Sequence, residues 1–597
     1  MYDYKCDVKL KVGTESFRAH KDVLSDSSFY FEAMFSHDML EKGQGEIEMH
    51  EISSVGFSVM MEYFYHGHVT LSPTNIADVL EAARFFHIDW LIRACCDFLI
   101  RRLSVENYES VVELADRFYL GDLRHDIFSN ISSQFMSLAK DPTFMSISYD
   151  LLHTILAEDY YIDAPERFIL QTVLRWLDHK TETEDREKYA LPLLRLVRYC
   201  LIEVSELEEV KVKLQDVAEL SDMIDYAIKY HANPTAQCLK ASAMTGSRGA
   251  TKALVLIGSN EFDSHFQYKI PGTCDFLTEA IDLPYRDLVL EFASVAALGN
   301  FLFVAGGYEA SSWCSSATFC MYDPRYRNWA KLTPMRTPRV SFPLVAGADG
   351  LYAVAGIEHI VQGGRDVENY LDTVEFYNPN SNTWSFLPEL PFGMFSCAAT
   401  CSTGNGGKLY VSGGVSARPE DHVPTSYLHA FVQSVQAWVP LEDMQVPRQA
   451  HAMVAHDNKL LVCGGYTNNP HNTMHLVDCL QNEIYDIATN QWSFLRGIID
   501  VDGHLYNAVT TFDDKIYVLG GPSSSAARFL HALDPEKDSL QVQEYCGQSV
   551  QQLTTLSVSL PPECIPNDAT EQDDDDCAND DETDSDDVTA AAAVPLN

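Results

Sequence analysis

LVLIGS (254–259), LFVAGG (302–307), LYAVAG (351–356), LYVSGG (409–414), LLVCGG (460–465) and IYVLGG (516–521) are six variants of one phrase. Each is an apolar, mostly β-forming run that stops at a small residue or a glycine pair, the pattern of a buried strand entering a tight connection. Their last residues lie 48, 49, 58, 51 and 56 positions apart. Self-similarity at a period near fifty marks a repeat architecture in which every copy is one supersecondary unit.

Two further features keep the same register. Two residues ahead of the phrases stand Lys252, Asn300, Asp349, Gly407, Asn458 and Asp514, of which all but the lysine are turn formers suited to a hairpin feeding the strand. Downstream, an aromatic precedes a tryptophan by seven residues in Tyr322/Trp329, Tyr377/Trp384, Phe431/Trp438 and Tyr485/Trp492. The last copy has Leu533 and Leu540 there, and the first has no evident tryptophan. Four short strands per repeat make one antiparallel blade, and six blades close into a β-propeller. The glycines let backbones approach where a side chain would clash, and each tryptophan buries on the order of 150–250 Å² between blades. The first repeat, from about Thr251, lacks a preceding strand. The alternating segment Gln551–Leu560 is expected to return and fill that slot, removing an exposed sheet edge.

Outward from the repeats the pattern changes. Asp7–Val12 alternates as a half-buried strand, while Val55–Tyr65, Asn75–His87 and Trp90–Leu103 carry helical spacing, broken once at Ser72-Pro73. Ser104 to about His231 is helical throughout, with almost no glycine, as in a stack of paired helices. Asn233-Pro234, Thr245-Gly246 and Gly249 place a linker over 232–250. Glu571, Asp573–Asp576, Asp580, Asp581, Glu582, Asp584, Asp586 and Asp587 are eleven acids with no Lys or Arg among them. Pro561–Asn597, poor in aromatics, is therefore expected to be disordered.

The bulk numbers bound the function. At 597 residues the chain needs several cores, and 46% hydrophobic residues can fill them. No secretory leader and no membrane-length apolar run is present, so the expectation is a soluble chain of the cytoplasm, with the nucleus open to it. Fifteen cysteines without a Cys-x-x-Cys pair point to free thiols; Cys95, Cys96, Cys397 and Cys401 fit buried packing better than a metal or redox site. A formal charge of −44 argues against nucleic acid, whose phosphates need clustered Lys and Arg.

The six repeats resemble the Kelch family, and the first hundred residues resemble the BTB domain through DVKLKV (7–12), AHKDVLSDSSFYFEAMF (19–35) and YFYHGHVTL (63–71). With the intervening BACK-like helices the resemblance covers nearly the whole chain. It implies a multidomain protein, α+β then all-α then all-β: a BTB (POZ) domain (1–103), a helical BACK domain (104–231), the linker (232–250), a six-bladed Kelch β-propeller (251–560) and the disordered acidic tail (561–597). Proteins of this kind are adaptors that hold a cullin scaffold through BTB and BACK and present a protein substrate, here unidentified, bound on the propeller. The family's cullin contact is a hydrophobic residue, any residue, then glutamate, shortly after a Met-Phe pair. Met34-Phe35 followed by Met39-Leu40-Glu41 matches, which makes Met34, Phe35, Met39 and Glu41 the expected cullin-binding residues, with Val105–Phe118 extending that surface. Asp7 and Lys21 match a charged pair near the BTB dimer groove and also suit a plain structural ion pair. The helix that family members exchange on forming a homodimer has no counterpart in the six residues before Asp7, which sets dimerisation of this chain in question. Trp176 matches a BACK core tryptophan. Arg339 in Pro338-Arg339-Val340-Ser341 and Arg448 in Pro447-Arg448-Gln449-Ala450 match arginines near the substrate face, where a planar guanidinium pairs carboxylates; bonding to loop carbonyls is the equal alternative. His359–Tyr370, Ala417–Ser426 and Tyr466–Leu476 are the expected rim loops.

Two other classes use the same domains. A copper-type propeller enzyme would need a metal set, but His471 and His475 flank Asn472 where His-Glu-x-x-His needs glutamate, and no phosphate loop or Gly-x-Ser-x-Gly element occurs. The expectation is no metal, no cofactor and no catalysis. A cytoskeletal scaffold binding actin would share every domain, and Met39-Leu40-Glu41 is the feature that favours the ligase reading.

Overall fold

The computed structural model describes the chain except residues 1–5, 37–42, 51, 105, 180–182, 215–216, 260–263, 270–276, 282–283, 285–287, 363–364, 403–406, 418–422, 470–471, 496–507, 513, 521–527, 535–538, 548–549, 560–587 and 592–597. Two compact units result. One comprises Met1–Ala164, Thr172–Tyr189 and Glu571–Asn597; the other comprises Pro165–Gln171 and Ala190–Thr570.

In the first unit β1 (Val8–Val12) lies between β2 (Glu15–Ala19), antiparallel, and β3 (Glu46–Met49), parallel. The alternation in β1 puts Val8, Leu10 and Val12 inside. Helices α1 (Lys21–Ser27), α2 (Phe29–Met34), α3 (Ser54–His66), α4 (Ile76–Phe85) and α5 (Asp89–Arg101) supply the rest of this layer, with β4 (His68–Leu71) after α3. The bounds of α3 follow local chemistry: Ser53 Oγ accepts from Gly56 N at 3.0 Å at its start, and Gly67 ends it at φ 72°. Phe31, Phe57, Phe64 and Phe86 meet edge-on, stacked or tilted at the centre. Helices α6 (Tyr108–Arg117), α7 (Gly121–Ser133), α8 (Phe135–Leu138) and α9 (Tyr149–Ala157) follow, as their apolar spacing requires; α10 (Glu166–His179) and α11 (Thr183–Leu194) are divided between the two units, and α12 (Val204–Leu214) and α13 (Ala218–His231) belong to the second. Trp176 of α10 is fully buried and its indole donates to Ile147 O at 3.1 Å, so it is a core residue. A short strand, Val588–Ala591, pairs antiparallel with β4. The disorder expected for 561–597 otherwise falls outside the described residues.

The second unit carries six four-stranded antiparallel sheets. Within each we call the strands a to d from the axis outward; in blade 3 they are Leu344–Ala346, Leu351–Val354, Val374–Asn378 and Thr383–Phe386. The six a strands neighbour one another in a closed cycle. In blade 1 the a strand is Val550–Ser559, paired with b strand Ala250–Ser259. The C-terminal segment therefore closes the ring in the slot its alternation predicts, and Leu553 enters one core with Leu254 and Leu256.

The sequence register has a direct physical meaning. Tyr322/Trp329, Tyr377/Trp384, Phe431/Trp438 and Tyr485/Trp492 are directly opposed residues of strands c and d, with ring centroids 5.1, 5.2, 5.3 and 5.1 Å apart. Leu533 and Leu540 oppose each other in blade 6. Trp384, Trp438 and Trp492 each also donate an indole N–H to a carbonyl of the preceding interblade connection, at Thr333, Pro388 and Glu442. The glycine pairs close the other side of the joint. Gly306 and Gly413 have φ 68° and 57°, and a Cβ on either would lie 2.4 Å from the carbonyl oxygen of Arg339 or Arg448 in the connection packed on it.

Candidate interaction surfaces

The connections sort into two faces. Every b strand ends, and every a strand begins, on one face. Blade 3 shows this directly: its d-to-a connection contributes Met394–Phe395, which pairs with Val415–Ser416 of the b-to-c connection of blade 4. The same face carries the antiparallel hairpins Ile357–Gln362/Arg365–Tyr370 and Tyr466–Asn469/Asn472–Asp478. The expected rim loops thus share one face, two of them as paired strands; residues 363–364, 418–422 and 470–471 within the three lie outside the described residues.

The opposite face, made of a-to-b and c-to-d turns, is tied at blades 2 and 3 to the unit's own helical segment. Arg325, in the c-to-d turn of blade 2, has a side chain 5% exposed. Its guanidinium donates to Tyr230 Oη (2.6 Å), Gln237 Oε1 (2.6 Å), Thr245 O (3.0 Å) and both oxygens of Asp323 (2.9 and 2.6 Å). It also lies 4.8 Å from the Phe301 ring centroid. In blade 3, Asn380 O and Pro379 O accept from Asn233 Nδ2 and Thr235 Oγ1. Arg248 forms a buried pair with Glu166 at 2.6 Å and donates to Leu196 O, while Glu166 Oε2 accepts from Arg198 N. The expected linker is therefore an ordered strap. A side chain with a planar five-donor fork is what such a many-partner junction requires.

Arg339 and Arg448 are a correction. Both are wholly buried. Arg339 donates to Glu375 Oε1 (2.5 Å), Ala355 O (2.8 Å) and Thr373 O (3.2 Å); Arg448 donates to Glu483 Oε1 (2.6 Å), Gln481 O (2.8 Å) and Gly464 O (3.3 Å). Each glutamate, on strand c, also accepts two backbone N–H groups of its own blade's entry connection, from Arg336 and Thr337 or from Gln445 and Val446. Desolvation pushes the Arg339 guanidinium down from its ordinary value, against the pull of Glu375. These arginines pin the connection to the blade. An acidic peptide cannot reach them, because burial and internal partners already occupy their forks.

Phe35 is a second correction. It is 8% exposed, stacks on Phe31 with centroids 5.9 Å apart, and has Lys21 Nζ 5.3 Å from its ring centroid, so it packs the core rather than a cullin. Met34 is half-buried at the end of α2, and Met39, Leu40 and Glu41 lie outside the described residues. Asp7 and Lys21 adjoin through the backbone: Asp7 Oδ1 accepts from Lys21 N at 2.8 Å at the start of α1, where His20 gives no side-chain cap. Lys21 Nζ donates to Gln44 O at 2.9 Å.

Burial pushes the thiols of Cys397, Cys401 and Cys463 up to about 12, the chemistry of packing residues. Among the described residues no group of three His, Cys, Asp or Glu side chains could hold a metal, and no helix is long and apolar enough to cross a membrane. What the sequence reading missed on the open face is a tryptophan. Trp313, in the b-to-c connection of blade 2, is 58% exposed, with Tyr308 and His359 beside it. The available signal was its register, since it has no aromatic seven residues earlier and belongs to no blade joint.

These surfaces define a class: a propeller tied to its own helices on one face, with long paired-strand connections on the other, and a separate α+β domain at the N-terminus. Known proteins agree. Residues 3–103 match the BTB/POZ domain, 109–211 the BACK (BTB And C-terminal Kelch) domain and 289–528 the attractin/LZTR1 β-propeller. The chain is 28% identical to Kelch-like protein 26 of Danio rerio, over 86% of its own length and 83% of the relative's. It is 28% identical to Kelch-like protein 36 of Bos taurus (89% and 86%) and 26% identical to Kelch-like protein 15 of Mus musculus (90% and 90%). The chain belongs to the BTB–BACK–Kelch family of adaptors.

Proposed function

We propose that this protein is the substrate-recognition adaptor of a cullin-RING ubiquitin ligase, holding cullin through its BTB and BACK domains and its target on the open propeller face, without catalysis of its own. The observation that carries the reading is the division of labour on the propeller: one face is tied to the chain's own helices through Arg325, and the paired-strand connections are gathered on the other. Rigid scaffolds that present loops on one side are built for recognition. Met39-Leu40-Glu41, standing shortly after Met34-Phe35 as in cullin-binding relatives, supports the cullin half. The test is affinity purification of the full chain from cells. Wild type is expected to bring down a cullin, and Met39→Ala with Glu41→Ala to weaken capture about ten-fold or more, a loss of about 1–3 kcal/mol. Wild-type protein that retains no cullin sinks the proposal.

A further inference from the structure

We propose that the open face of blades 2 and 3 reads a basic segment of the target, with Trp313 as aromatic anchor and Asp366 and Glu368 as paired carboxylates. This rests on the reading of the propeller as the target-binding arm and adds the chemistry of what it binds.

Three observations place these groups together. First, the indole is displayed rather than packed. Trp313 is 58% exposed, at the end of a turn whose geometry is fixed from both sides: its N–H donates to Glu309 O at 2.7 Å, and its carbonyl accepts from His359 Nδ1 at 2.7 Å. Its φ of 51° is a conformation a bulky residue adopts only when its surroundings impose it. Second, blade 3 supplies the wall beside it. Ser315 N donates to His359 O and His359 N to Ser315 Oγ, so the two b-to-c connections are stitched together. Third, the hairpin's alternation decides which charges face the tryptophan. Ile357/Tyr370, His359/Glu368 and Val361/Asp366 are opposed pairs two residues apart, hence on one side of the ribbon. Arg365, opposite Gln362, falls on the other side. The side bearing His359 therefore carries two carboxylates and no Lys or Arg, with Asp366 76% exposed and Glu368 held by Tyr370 Oη.

Asp366 Oδ1 lies 3.9 Å from His359 Nε2, and an exposed indole next to two carboxylates with no Lys or Arg on their side of the ribbon complements one chemistry. A Lys or Arg side chain can place its cation over the ring while a carboxylate takes its N–H groups. An acidic segment would meet like charge, on a chain already at −44. Large exposed aromatics are also the residue type that dominates interface energetics.

The experiment measures binding of the full-length protein to short fluorescent peptides in which Arg and Lys are spaced by Gly and Ser, with Glu-substituted peptides as the reverse probe. Wild type should bind the basic peptides and not the acidic ones. Trp313→Ala, and separately Asp366→Asn with Glu368→Gln, should each weaken binding about ten-fold. Asp349→Asn with Asp457→Asn removes the same charge from the turns of the opposite face and should change binding by less than about two-fold. Equal losses in both charge-removing pairs would mean non-specific attraction to an acidic protein and overturn the proposal, as would wild-type binding by Trp313→Ala. Cullin capture is scored on the same samples. Wild-type protein that captures cullin but binds no basic peptide refutes this inference alone; wild-type protein that binds the basic peptides but captures no cullin refutes the ligase reading alone.

Discussion

Arg448 shows how one residue type supports opposite readings. From the sequence, an arginine after proline at the mouth of a repeat suits a carboxylate-binding site; in the fold, the carboxylate it binds is Glu483 of its own blade. Breaking a buried pair costs more than the pair contributes, because the surviving charge stays desolvated. Arg448→Met is therefore expected to destabilise the propeller by about 3–5 kcal/mol, since Glu483 would keep only the N–H groups of Gln445 and Val446. Chemical denaturation checks this, and a midpoint equal to wild type would return Arg448 to the list of recognition residues. The arginines were legible as important positions, but burial depends on which strand lies across from them. Trp313 is the converse: a tryptophan out of register in the sequence, and exposed for that reason.

Among the elements, the strand Val550–Ser559 joins the most distant parts of the propeller sequence. Its alternation is a local property, and its pairing with Ala250–Ser259 follows because blade 1 lacks an innermost strand. A chain ending at Gln548 should leave the Ala250–Ser259 edge and Leu254 and Leu256 uncovered, and should elute as aggregates. A chain ending at Ser559 loses the Val588–Ala591 pairing with β4 but keeps the ring closure, and should elute without aggregates as the full protein does. Size-exclusion chromatography with light scattering separates the two outcomes; a well-behaved shorter chain would show that the ring holds without its last strand. The turn residues were equally legible: Asn300 and Asp514 have φ 63° and 58°, conformations that asparagine and aspartate tolerate best after glycine.

At the scale of the molecule, the junction within the second unit matters most for an adaptor. If α13 and the strap through Thr245 moved freely against the propeller, a captured target would not be held at a defined place. Arg325 prevents this by joining Tyr230, Gln237 and Thr245 to blade 2. Arg325→Lys keeps the charge but replaces a fork with a point donor, so it can satisfy only part of the set. It is expected to raise amide exchange across the strap, residues 233–249, while the blade strands stay protected. Hydrogen-exchange mass spectrometry reads this directly, and unchanged protection of the strap would show that the contacts at Asn380 and Pro379 suffice.

The sequence by itself determined the number of blades, the strand that closes them, the helical stretch before them and the family, because each is written in a period: about fifty for the repeats, two for the strands, seven for the aromatic pairs opposed across c and d. It also placed the rim connections, since insertions in a repeat lengthen only what lies between fixed strands. What only the tertiary structure decided is which charged and aromatic groups are free to meet another molecule. Arg339 and Arg448 are consumed by glutamates 36 and 35 residues away, Phe35 by Phe31 within its own core, and Arg325 by α13 and the strap, 80 to 95 residues distant. Trp313 alone among these stands in solvent. Spacing along the chain does not show which of these side chains is covered, because a buried charge meets its partner when a connection or the strap packs against a blade.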